Sequence, residues 1–68
     1  MRRVAAHSVI TPNETYRQAV VVIEDGKVTE VYTFTDELPS TEWLGGTIVV
    51  SPDGDGIPRA YHEGKLLS

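Results

Sequence analysis

Two histidines, His7 and His62, are the side chains here best suited to proton transfer or metal ligation. A catalytic zinc site asks for about three protein ligands and an open position. The chain has no cysteine, so a metal would need both histidines and a carboxylate. Neither an H-x-H nor an H-E-x-x-H spacing occurs. His7 falls in the middle of a strand-like run, and His62 at the end of another, beside a turn. Isolated histidines of this kind are ordinarily structural, so the sequence predicts no metal centre and no cofactor. Asp53-Gly54-Asp55-Gly56 opens like a calcium loop, yet Ile57-Pro58-Arg59 follows where further oxygen ligands belong. It reads as a Gly-rich hairpin turn. Serines and threonines are numerous, but no G-x-S-x-G elbow, G-x-G-x-x-G or phosphate loop is present. The expectation is a chain without a complete catalytic site.

Length and charge narrow the field further. A chain of 68 residues is one domain, expected to span residues 1–68. Six Lys and Arg against ten Asp and Glu give a net charge of −4. That is no electrostatic footprint for nucleic acid; the one adjacent basic pair is Arg2-Arg3. The longest apolar run, Ala19 to Ile23, is strand-sized and far short of the roughly 20 residues that span a bilayer. No stretch of signal-peptide length is present at the start. The expectation is a cytoplasmic protein with no nucleic-acid or membrane partner.

The elements that must position these residues are strands. Turn signals at Thr11-Pro12-Asn13, Glu24-Asp25-Gly26-Lys27, Gly45-Gly46, Pro52 to Gly56 and Glu63-Gly64 separate short runs rich in Val, Ile, Thr and Tyr. Six strands are predicted: Arg3–Ile10, Arg17–Glu24, Lys27–Thr35, Thr47–Ser51, Ile57–His62 and Lys65–Leu67. Alternation puts Val4, Ala6, Ser8 and Ile10 on one face of the first, and Ala5, His7 and Val9 on the other. In the third it puts Val28, Glu30, Tyr32 and Phe34 on one face, and Thr29, Val31, Thr33 and Thr35 on the other. The second is apolar on both faces, as expected inside a sheet. Asp25-Gly26 is the strongest hairpin signal. Residues 36–44 could hold one helical turn, with Pro39 at its first position and Gly45-Gly46 ending it. The fold class is therefore all-β, a small β-sandwich or open barrel of about six strands.

The order of the segments resembles a family. Val9-Ile10-Thr11-Pro12, followed by Gln18 through Val31 with its Glu24-Asp25-Gly26-Lys27 turn, is similar to the N-terminal strands of amidohydrolase-superfamily metal-dependent hydrolases. Gly46-Thr47-Ile48-Val49-Val50-Ser51-Pro52-Asp53, with Pro58 through Leu67, resembles their C-terminal strands. In that family the two ends form a composite β-sandwich beside a catalytic (β/α)₈ barrel. The resemblance covers nearly the whole chain except roughly residues 36–44, and it implies that residues 36–46 are a short bridge in place of the missing barrel. The motifs are strand-and-turn patterns, and the family's H-x-H metal motif is absent. The resemblance therefore implies a fold and carries over no catalytic residue.

These features predict a non-enzymatic structural or protein-interaction module that associates with itself or with another protein. A domain this small, without disulfides or metal, has little apolar area to set against its conformational entropy. Trp43 and Leu44, large apolar residues in a loop, either plug one end of the sandwich or form part of an interface. Two alternatives stand beside this reading. One is a small-ligand or metal-binding module using His7, His62 and nearby carboxylates. The other is a degenerate amidohydrolase-like fragment that assists a partner chain.

Overall fold

In the computed structural model, which describes residues 1–36 and 40–68, the chain is all-β. Seven strands are formed by the described residues: β1 (Arg2–Ile10), β2 (Thr15–Glu24), β3 (Lys27–Thr33), β4 (Glu42–Trp43), β5 (Thr47–Pro52), β6 (Pro58–His62) and β7 (Lys65–Leu67). They make one sheet in the order β3-β2-β1-β5-β6-β7, with β4 pairing β1 beside this path. The two inner-to-outer hairpins, β1-β2-β3 and β5-β6-β7, are antiparallel, and β5 joins them by running parallel to β1.

One open sheet buries its apolar residues by curling. Val4, Ala6 and Val9 of β1 meet Ala19, Val21 and Ile23 of β2 in a single cluster. Ile48 and Val50 of β5, Ala60 of β6 and Leu67 of β7 complete it. Val28 and Val31 of β3 pack against the same cluster. The edge strand β3 thus reaches β6, which is not its neighbour in the sheet. Arg59 fixes the closure by donating from Nη1 to the Gly26 carbonyl at 2.8 Å. No polar or charged side chain is buried among the described residues. On the convex side, Ala5, Val20 and Val22 form a smaller buried cluster under Tyr32 and Phe34.

Three irregularities shape the sheet, and each corrects a strict alternation. In β3, Glu30 pairs Val22 but Val28 pairs Ile23, so Thr29 is an extra residue. A bulge of this kind moves every residue beyond it to the other face. Val28 accordingly joins Val31 on the concave core, while Tyr32 and Phe34 stay convex. In β1, Val9 joins Val4 and Ala6 in the core, whereas the alternation puts it with Ala5. β2 changes face at the same level, since Tyr16 and Ala19 both pack on the core. The change falls where His7 lies opposite Gln18, between the pairs Ala6↔Ala19 and Ser8↔Arg17, and Gln18 adopts φ +48°.

The third irregularity replaces the expected helical turn. Pro39 lies outside the described residues, but Glu42 and Trp43 are extended and pair in parallel with Val4 and Ala5. The register then gains one residue before Thr47 meets Ser8. Gly45 and Gly46, at φ +69° and +61°, absorb that residue. They do not end a helix; they divide one long strand into β4 and β5. Gly tolerates this backbone because it lacks a Cβ.

Candidate functional site

His62 is held by the glycine bulge. Its Nε2 donates to the Gly45 carbonyl at 3.0 Å, and its side chain is largely covered. A carbonyl only accepts, so this bond fixes the ring's tautomer. The ring anchors the β4–β5 break. His7 lies elsewhere, exposed on the convex side, with its ring edge-on to Trp43 at 4.8 Å between centroids. Among the described residues no three His, Asp or Glu side chains converge as a metal cluster would require.

The Asp53–Gly56 segment is a loop that satisfies itself. The Asp53 amide donates to the Ile57 carbonyl at 2.9 Å, closing the β5–β6 hairpin. Asp53 Oδ1 accepts the amides of Asp55 and Ile57 at 2.8 and 3.0 Å. Its Oδ2 accepts Arg59 Nε at 2.9 Å. These bonds, led by the Ile57 amide and followed by Arg59 and the Asp55 amide, hold the Asp53 carboxyl below its ordinary range. Both oxygens point into the loop, so a hairpin turn is the reading the geometry supports.

Trp43 and Leu44 part company. Successive residues of a strand face opposite ways, so Leu44 packs onto the concave core and Trp43 stands convex, 53% exposed. Leu44 is the plug. Trp43 is flanked by His7 and by Phe34, whose ring lies edge-on at 6.4 Å. The strand bearing Trp43 is pinned at Glu42, whose two carboxylate oxygens accept Arg2 Nε and Nη2 at 3.0 and 3.1 Å. This fork lowers the Glu42 pKa.

Of the residues that make two further convex features, only His7 was singled out from sequence. The first is an apolar row. Ile10 pairs with Val49, Val49 with Tyr61, and Tyr61 with Leu66, so four side chains lie abreast across β1, β5, β6 and β7. Ile10 and Val49 are each 40% exposed and Leu66 is 56% exposed. Thr47 and Ser51, which flank Val49 on its own face, are uncharged. The second is an open cleft of about 380 Å³ lined by His7, Ser8, Arg17 and Gln18, where β1 and β2 change face. The alternation of β5 puts Val49 opposite Ile48 and Val50 in the sequence itself, but only the strand order brings it beside Ile10, Tyr61 and Leu66. Nothing in the sequence signals the left-handed Gln18. No family model, characterised protein or solved structure matches this chain.

Proposed function

We propose that this chain is a non-enzymatic protein-interaction module whose convex face docks a second copy of itself. The row Ile10–Val49–Tyr61–Leu66 carries the reading. Large apolar side chains side by side in register on the outside of a sheet are a contact surface. A second copy suits it by charge. The positions flanking Val49 on its face are neutral, so the net charge of −4 is not concentrated where two copies would meet. Two sheet faces stacked about a two-fold axis would interdigitate such rows.

The absence of chemistry in the reading rests on the two rings: His62 donates to a backbone carbonyl and His7 stacks on Trp43. Neither is paired with a hydroxyl among the described residues, as a base would be with a nucleophile. The resemblance to the amidohydrolase composite domain stays within the proposal. There the sandwich rests against a barrel; here a second copy supplies the covering surface. A cytoplasmic setting accompanies it, with no cysteine in the chain.

Sedimentation equilibrium over a hundredfold concentration range tests the proposal on three proteins. The wild type is expected to rise above 7.5 kDa with concentration. Leu66→Glu, whose side chain is exposed in the free chain, is expected to stay at the monomer mass with an unchanged circular dichroism spectrum. Trp43→Ala is expected to follow the wild type. A wild-type mass that stays constant overturns the dimer, as does association that only Trp43→Ala weakens.

A further inference from the structure

The cleft between β1 and β2 is built from hydrogen-bond donors. Arg17 and Gln18 come from β2, and His7 and Ser8 from β1. Arg17 makes no hydrogen bond or ion pair with any described residue, in a chain with an excess of acidic groups. Two other arginines have acidic partners: Arg2 grips Glu42 and Arg59 grips Asp53. No carboxylate lines the cleft among the described residues. The guanidinium, the Ser8 hydroxyl, the Gln18 amide and an imidazole N–H can all donate, and the guanidinium cannot accept.

The backbone adds a second observation. Gln18 holds φ +48° in the middle of a ten-residue strand, a conformation unfavourable for a side chain with a Cβ. Strain of this kind concentrates at binding sites. It comes with the change of face that turns His7, Ser8, Arg17 and Gln18 toward one concavity. The Trp43 ring, edge-on at 4.8 Å, braces His7 from outside.

We propose that the cleft formed by His7, Ser8, Arg17 and Gln18 binds a small oxyanion, a carboxylate or a phosphate group. Arg17 supplies the planar fork that matches two anion oxygens, and Ser8 and Gln18 donate from the sides. The cleft is open, so it takes the oxyanion as the end group of a larger molecule or as the free ion. The proposal does not depend on the apolar row and stands if the chain is a monomer.

Amide chemical shifts of isotopically labelled protein decide it, followed during separate additions of sodium acetate and sodium phosphate. Sodium chloride at matched ionic strength is the reference. The expected result is a saturable shift centred on residues 7, 8, 17 and 18 with at least one of the two anions, beyond that caused by chloride. The tighter of the two identifies the headgroup. Arg17→Gln should weaken the affinity at least about tenfold while leaving the rest of the spectrum in place. Ser8→Ala provides a second, smaller loss. Shifts that chloride reproduces, or an affinity unchanged in Arg17→Gln, overturn the proposal.

Discussion

Asp53 organises the β5–β6 loop through one carboxylate, and its protonation state is therefore a stability determinant. Its pKa lies below the unfolded value because the folded loop favours the charged form, chiefly through the Ile57 amide. The resulting stabilisation is fully present above the unfolded value of about 3.9 and is lost as pH falls through the folded value. Acid denaturation should show this as a drop in stability below about pH 4 that Asp53→Asn flattens. Equal acid limbs for the two proteins would contradict the assigned bonds. Gly26 makes a parallel case. It sits at φ +77° after Asp25 at +52°, the backbone of a type I′ turn. A Cβ there would meet Arg59 Nη1 at 2.8 Å, the atom that binds the Gly26 carbonyl. Gly26→Val should therefore cost roughly 1 kcal/mol or more, through strain and through a disturbed β3–β6 contact. Urea unfolding measures it, and an unshifted midpoint would contradict the turn.

At the scale of elements, the irregularities matter more than the regular strands. The kink at Gln18 is the sharpest, and substitution there separates strain from side-chain loss. Gln18→Val should destabilise by about 1 kcal/mol or more, since a β-branched residue resists positive φ. Gln18→Gly should stay within about 0.5 kcal/mol of wild type, because relief of strain offsets the greater freedom of the unfolded chain. Equal effects of the two would show that the left-handed backbone is not maintained. The same kink explains what was legible in the sequence. Strand existence, the Asp25-Gly26 hairpin, the Asp53–Gly56 turn and the β7 boundaries follow from local composition and turn chemistry. Face assignments for Val9 and Val28 do not, because each lies beyond a bulge or kink that tertiary closure imposes. The pair Gly45-Gly46 reads equally as a helix stop or a strand bulge until β1 supplies the partner. Of the candidate site, Trp43 was visible as a large apolar residue outside the regular runs. Its neighbours His7 and Phe34 are remote in sequence and meet it only through the β1–β4 pairing.

For the whole molecule, a single curled sheet has a consequence that a closed two-layer sandwich lacks. The concave side is filled by one aliphatic cluster, whereas the described residues place no second layer on the convex side over β5, β6 and β7. A chain of 68 residues buries a smaller share of its surface than a larger domain does. Covering the convex apolar row removes further area from water at roughly 25 cal/mol per Å². The association proposed here follows from that geometry. Its most direct test is a mixed sample in which one population is labelled with ¹³C and the other is not, read for nuclear Overhauser effects between copies. The account predicts intermolecular contacts among the methyl groups of Ile10, Val49 and Leu66 and the Tyr61 ring. Intermolecular contacts confined to other surfaces, or none at concentrations where the mass exceeds that of one chain, would contradict it.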